Sequence, residues 1–503
     1  SPQALTIADG RVWVSVDAQS IAPTDGGSGG GTLRVIASTD LDFMDPALAY
    51  TGLASQLLYA TCVQLVNYPD KAGAAGSQLT AEVARALPTR SRDGRSYTFQ
   101  IRRGFRFSPP SNERVTAQTF KDTIERTLNP SMRSPLADYL GDIVGARAYM
   151  AGRAGHIAGV VARGDTLTIR LLAPAPDFLA RIAEPAFCVV PSNTPINRNG
   201  VRLVPAAGPY YVSSYTPGQG VLLIRNPNYH GSRPRHFARI ELRVGISPRR
   251  AVAEIEAGTA DYTTLGYGLA RSTTTVALAA RLDARYGPGS SAAAHGRRRY
   301  FVDPVPELDA FALNTHRPLF SDARLRHAVN YAIDRRALAA LGSGFESLPE
   351  RATDHYLPPG MPGFRDTHLY PMTPDRTRAR HLVQLARARG RTAVLYTINI
   401  PPFPEQAQIV KTDLAAIGIH VQIKAFPEAT FFARMATPGE PFDLGYIGWQ
   451  ADYRDPSQIL NVLLADSRTI PPLQGPAYQR QLAETARRSG PERYLTYGAL
   501  DLE

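Results

Sequence analysis

The stretch Glu405-Gln406-Ala407-Gln408-Ile409-Val410-Lys411-Thr412-Asp413-Leu414-Ala415-Ala416-Ile417-Gly418-Ile419-His420-Val421-Gln422-Ile423 reads as a helix that turns straight into a strand. The helix is predicted over Glu405 to Ile417. Gly418 stops it, because glycine alone takes the left-handed conformation that commonly ends a helix without steric cost. Ile419, Val421 and Ile423 then alternate, the period of a half-buried strand. The same rhythm precedes it. A helix over Arg376 to Arg389 leads into a strand over Ala393 to Ile400. Earlier still, Ser321 is read as the start of a strong helix with Leu325, Ala328, Val329, Ala332 and Ile333 on one stripe. Helix then strand with short connections is the pattern of a layered α/β lobe.

The earlier part of the chain is α/β but less regular. Leu33, Val35 and Ile36 suggest a buried first strand. Tyr97, Phe99 and Ile101 alternate, and Arg103-Gly104 is predicted to turn the chain back through Phe105 and Phe107 as a hairpin. Thr116 suits a helix N-cap, with Phe120, Ile124 and Leu128 four apart on one face. Residues Leu167 to Leu172 and Val221 to Arg225 read as further strands. Before all this, residues 1–22 read as a small β piece around Trp13, either the end of an upstream domain or a disordered leader, followed by the glycine-rich linker Pro23 to Gly31. The organisation expected is therefore a propeller-like strand remnant and linker over 1–31, a first lobe over 32–308 and a second over 309–503, with the hinge near Asp303 to Leu313.

Composition narrows the function. With 503 residues, 44% hydrophobic and 20% charged, the chain is globular, and no apolar run approaches the roughly 18 residues of a membrane helix. The formal charge of +12 invites nucleic acid or an anionic partner, yet lysine occurs only at Lys71, Lys121, Lys411 and Lys424. The rest of the positive charge is arginine, which codon bias explains as well as function does. The arginines Arg90, Arg92, Arg95, Arg102, Arg103 and Arg106 interleave with aromatics as a solvated sheet face does, and no nucleic-acid-binding motif accompanies Arg297-Arg298-Arg299. Catalytic signatures are missing too. Gly26-Gly27-Ser28-Gly29-Gly30 fits a nucleophile elbow in letters only, since it lies in the linker. No glycine precedes a lysine, which excludes a Walker phosphate loop, and His316 and His327 read as surface or capping residues. No metal site, cofactor or enzyme activity is expected. Cys62 and Cys188 remain open between two buried thiols and one disulfide, depending on the compartment.

Six blocks in order carry a family resemblance. They are Asp45-Pro46 through Tyr59 to Leu65, and Arg92-Asp93-Gly94 through Tyr97-Thr98-Phe99 to Phe107. Next come Gly208-Pro209-Tyr210, Arg225-Asn226-Pro227-Asn228-Tyr229 and Asn314 to Arg335. Last is Gly448-Trp449-Gln450-Ala451-Asp452-Tyr453-Arg454-Asp455-Pro456. Together they resemble the family 5 extracellular solute-binding proteins, the oligopeptide- and dipeptide-binding components of ABC importers. The resemblance implies an α/β periplasmic-binding-protein fold of type II, two lobes joined by a hinge with the solute in the cleft between them. It implies that Asp452 pairs with a ligand's α-amino group, against the plainer reading of a loop-capping or arginine-paired acid. Trp449 either walls the cleft or fills core, and Tyr453 shares its loop. Arg454 and Arg434 are the candidate partners of a ligand carboxylate.

The implied setting is extracellular, held to the membrane through a segment outside this sequence, and there a Cys62–Cys188 disulfide becomes the expectation. The implied partners are a peptide or other small solute and an ABC transporter permease, with no nucleic acid, the protein itself a monomer. Two departures stand out. Family members continue past the helix around Tyr478 to Tyr497 and return to the first lobe, whereas this sequence closes at Glu503, and the opening hairpin is propeller-like. These make a fused, ligand-sensing module the alternative expectation.

Overall fold

A computed structural model gives the fold and describes residues 4–8, 11–15, 30–69, 71, 76, 78–263, 273–302, 305–342, 350–465 and 475–503. Most of the expected linker, Pro23 to Gly29, and the first two hinge residues, Asp303 and Pro304, lie outside the described residues. By its contacts the chain divides into two compact units, Ser1–Tyr267 with Arg281–Asp303, and Gly268–Ala280 with Pro304–Glu503.

In the first unit, β1 (Ala4–Ala8) and β2 (Arg11–Ser15) form the expected antiparallel hairpin. A five-stranded sheet contains β3 (Thr32–Ile36), β10 (Tyr210–Thr216), β11 (Gly220–Arg225), β12 (Arg239–Arg243) and β13 (Tyr262–Thr263), in the order β10-β11-β12-β3-β13. Here β3 pairs in parallel with both β12 and β13, so the first strand is central and buried as its Leu33, Val35 and Ile36 predicted. A two-stranded ladder joins β4 (Val66–Asn67) to β5 (Thr80–Ala81). A second sheet orders β6 (Thr89–Arg90), β7 (Ser96–Gln100), β9 (Thr166–Arg170) and β8 (Val160–Arg163) as β6-β7-β9-β8.

That second sheet corrects one expectation. Tyr97, Phe99, Phe105 and Phe107 are all buried, but Phe105 and Phe107 form no hairpin with β7. Both edges of β7 are occupied, by β6 and by β9, so its backbone has no ladder left to offer. Helix Ala117–Leu128 lays Phe120, Ile124 and Leu128 on the same core, and Thr116 caps it through a reciprocal capping box with Thr119.

Among the described residues the second unit has one sheet, in the order β14-β17-β15-β16, made of β14 (Glu307–Leu313), β15 (Thr392–Ile398), β16 (His420–Phe426) and β17 (Leu444–Gln450). The last three run parallel, while β14 lies antiparallel to β17. Helix Phe403–Ala415 is the expected one, and Gly418 follows its end at φ 88°. Its Val410 and Leu414 pack on Leu395, Ile419 and Leu444. Helix Ala323–Ala332 starts two residues later than expected. Asp322 is the N-cap, accepting from Arg324 N at 2.9 Å, and Ser321 ends the short helix before it. Helices Ser457–Leu464, Pro476–Arg487 and Pro491–Leu502 complete the unit around Leu308, Leu460, Leu482 and Tyr497. Among the described residues no helix is long and apolar enough to cross a membrane.

Candidate functional site

Parallel strands send all their carboxyl ends to one edge, and open α/β sheets bind ligands there. In the second unit that edge carries Ile398, Phe426 and Gln450, the last residues of β15, β16 and β17, together with Glu307 at the start of antiparallel β14. The segment singled out in the sequence begins there. Trp449 is the penultimate residue of β17, half-buried opposite Leu308, and its packing against Leu308 and Leu460 shows a share in the core. Its indole Nε1 is buried with no hydrogen-bond partner among the described residues.

Beyond β17 the chain is pinned at several points. Ala451 N donates to Pro306 O at 2.8 Å, and Asp452 N to Gln458 Oε1 at 3.3 Å. Tyr453 is buried, its carbonyl accepting from Asp455 N at 2.8 Å. Arg454 donates from Nε to Gly360 O at 2.8 Å, so its guanidinium fastens this loop to the Pro358–Met361 turn. Asp455 is buried beneath the loop. It accepts from Ser457 N at 3.0 Å and Ser457 Oγ at 2.6 Å, and forms an ion pair with Arg493 at 2.5 Å. Trp449, Asp452, Tyr453 and Arg454 are thus brought together on one braced segment.

Arg434 comes to this edge from another element and is not part of the braced segment. It lies on helix Glu428–Met435, paired with Glu440 at 2.7 Å and stacked 4.9 Å from the centre of the Phe426 ring. The Glu440 hydrogen bond raises its already high pKa. Cys62 and Cys188 form a disulfide in the first unit with Cα atoms 5.6 Å apart, inside a core that includes Leu33, Leu57 and Tyr210.

One cluster at the same edge was not anticipated. Glu307, Asp309 and Glu350 each place a carboxylate oxygen within 4.8 Å of the others, the set of oxygens a hard cation takes. Tyr446 donates its hydroxyl proton to Asp309 Oδ1 at 2.6 Å. Burial raises the Asp309 carboxyl above its ordinary range, against the opposing effect of hydrogen bonds with Glu350 and Tyr446. Burial, and then the Asp309 charge, push the Tyr446 phenol up as well. Gly448 makes this contact possible: a Cβ there would lie 2.2 Å from Asp309 Oδ1 and 2.3 Å from the Tyr446 hydroxyl oxygen. The sequence did hold a signal. Glu307 and Asp309 fall two apart in Glu-Leu-Asp-Ala-Phe-Ala-Leu, acids on one face of an otherwise apolar strand. Pairing with Gly448 puts Asp309 on the sheet face opposite Trp449.

Comparison with known proteins gives a consistent result. The model of the bacterial extracellular solute-binding proteins, family 5, matches residues 78–470. The periplasmic oligopeptide-binding protein OppA of Escherichia coli is 24% identical over 414 residues, covering 79% of this chain and 72% of that protein. The probable deoxycholate-binding periplasmic protein YgiS of the same organism is 25% identical over 393 residues, 74% of this chain and 68% of that one. Among solved structures, the clavulanic acid biosynthesis oligopeptide binding protein 2 superposes with a TM-score of 0.81 at 26% identity, over 99% of this chain and 89% of that one. The fold is accordingly that of the periplasmic binding proteins.

Proposed function

The chain belongs to the bacterial extracellular solute-binding proteins of family 5, and on that premise we propose that it captures a peptide or similar small solute outside the cytoplasm for delivery to an ABC-type permease, without catalysing a reaction on it. The observation that carries this reading is the braced segment from Trp449 to Arg454, which leaves β17 at the edge where the parallel strands β15, β16 and β17 all end. In this reading Asp452 takes the α-amino group of the solute. A carboxylate held in a fixed loop forms a strong charge-assisted hydrogen bond with an ammonium, and truncating one member of such a pair costs about 2–5 kcal/mol where it is shielded from water. Trp449 supplies an apolar wall beside that charge. Arg454 acts as a brace for the loop through Gly360 and is not assigned to the solute. Arg434 is likewise left out, because Glu440 already satisfies it.

Native mass spectrometry of the purified protein, supplied with a mixed peptide pool and separately with deoxycholate, tests the proposal. The expected result is a peptide-sized adduct that Asp452→Ala weakens at least about tenfold in a follow-up titration calorimetry experiment. An adduct whose affinity is untouched by Asp452→Ala refutes the amino-group role. Turnover of the pool refutes the assignment as a binding protein.

A further inference from the structure

Opposite the solute edge, the amino-terminal edge of the second unit's sheet carries a concentration of arginine that capture of a solute does not use. Strands β15 and β16 begin there, at Thr392 and His420. Helix Arg376–Leu385 and the residues after it bring Arg380, Arg387, Arg389 and Arg391 to this edge, and backbone contacts fix the placement. Arg380 Nε donates to Ala416 O at 2.9 Å, Gly390 N to Gly418 O at 2.7 Å, and His420 N to Arg391 O at 2.9 Å. All four arginines are exposed. Among the described residues none of the four forms an ion pair, whereas nearby Arg324 is held by Asp322 at 2.6 Å. Arg324 marks the rim of the patch by donating from Nη1 to Leu385 O at 3.0 Å. The Leu385 side chain beside these guanidiniums is 51% exposed.

We propose that this edge docks on an anionic phospholipid bilayer. Like charges gathered without counter-charge repel one another, and a polyanionic surface relieves that repulsion. Guanidiniums bind phosphate oxygens in pairs, so a headgroup layer suits them better than scattered carboxylates do. The exposed aliphatic Leu385 fits insertion at the boundary between headgroups and acyl chains, while stacking on nucleic-acid bases calls for an aromatic side chain. The inference rests on the extracytoplasmic reading of the family, where a membrane surface is the neighbouring polyanion. It assigns a lipid partner to a surface remote along the strands from the solute loop.

Flotation with vesicles of phosphatidylglycerol and phosphatidylcholine, against vesicles of phosphatidylcholine alone, tests it at low and high salt. Binding to the anionic vesicles only, lost at high salt, is expected. The triple variant Arg387→Gln/Arg389→Gln/Arg391→Gln is expected to reduce partitioning roughly a hundredfold, since each basic residue at an anionic surface contributes separately. The corresponding triple Lys variant keeps binding. A control triple of equal charge change on the first unit, Arg92→Gln/Arg153→Gln/Arg163→Gln, keeps it too. No binding to anionic vesicles, an equal loss in the control, or tighter binding of a duplex DNA oligonucleotide than of vesicles would each overturn the proposal. Solute affinity measured on the same variants separates the two readings, because the arginine-to-glutamine triple should leave it unchanged.

Discussion

Beneath the loop that follows β17, Arg493 and Asp455 are 1% and 5% exposed, so two charges have been taken out of water. Such a pair costs less the more of its remaining donors and acceptors are satisfied. Here Arg493 Nη1 also donates to Thr485 O at 3.0 Å and Ala486 O at 2.9 Å, and its guanidinium stacks 4.9 Å from the centre of the Tyr497 ring. Removing the cation strands Asp455 as an unpaired buried carboxylate. Arg493→Ala is therefore expected to lower stability by about 3–5 kcal/mol in urea titration. A loss under about 1 kcal/mol would mean that water or another group replaces the guanidinium. Nothing in the sequence pointed to this pair, because its members lie 38 positions apart and only the packing of the Pro491–Leu502 helix brings them together. The Gly448-to-Pro456 motif, by contrast, marked in the sequence the segment that leaves β17, while the role given to Asp452 within it is a proposal. The acids Glu307 and Asp309 were legible in principle, but the same residues also fitted a hinge segment, and alternation alone does not distinguish the two.

Among elements, the best-read ones were those whose ends carry local chemistry. Thr116 and Gly418 stop or start a helix through their own backbone and side-chain preferences, which neighbours do not alter. The hairpin expected at Phe105 failed because strand pairing depends on what already occupies an edge, and that is non-local. The loop and helix joined by His355 were also invisible locally. His355 Nδ1 is 2.9 Å from Asp501 Oδ2, its Nε2 faces the Thr367 carbonyl, and Asp354 Oδ1 is 3.6 Å from Nε2. Both ring nitrogens face acceptors, so the doubly protonated imidazolium fits and either neutral tautomer leaves two acceptors facing each other. Burial opposes the charge, but the Thr367 carbonyl and the Asp501 carboxylate outweigh it and raise the His355 pKa above 6.5. A raised folded-state pKa stabilises fully below the unfolded value and loses its effect as pH rises through the folded value. Helix Pro491–Leu502, tied down through Asp501, should therefore exchange its amide hydrogens faster, relative to intrinsic rates, as pH climbs above about 6.5. In His355→Gln that pH dependence should vanish. A helix whose protection rises with pH would reverse the assigned sign.

At the scale of the molecule, the chain divides into two compact units, each with cores of its own. The α-then-β rhythm read in the second unit is seen there as a sheet with helices packed on it, because parallel strands need such crossovers and leave their mark as an alternating pattern. The first unit was harder to read. Its sheets mix parallel and antiparallel pairs from distant segments, such as β3 with β12, which no local period announces. The disulfide belongs to this first unit and closes 126 residues of chain. Cross-linking a loop that long restricts the unfolded chain, and losing a native disulfide typically costs 2–5 kcal/mol. Since both sulfurs are buried in the core that holds Leu33 and Tyr210, the effect should stay with that unit. Calorimetric unfolding of Cys62→Ser/Cys188→Ser is expected to lower one transition and leave a second, assigned to the Pro304–Glu503 body, at its original temperature. Asp455→Asn provides the converse marker, moving the second transition and not the first. If the cysteine double variant shifts both transitions together, the two units unfold as one cooperative body, and stabilising either would stabilise the whole.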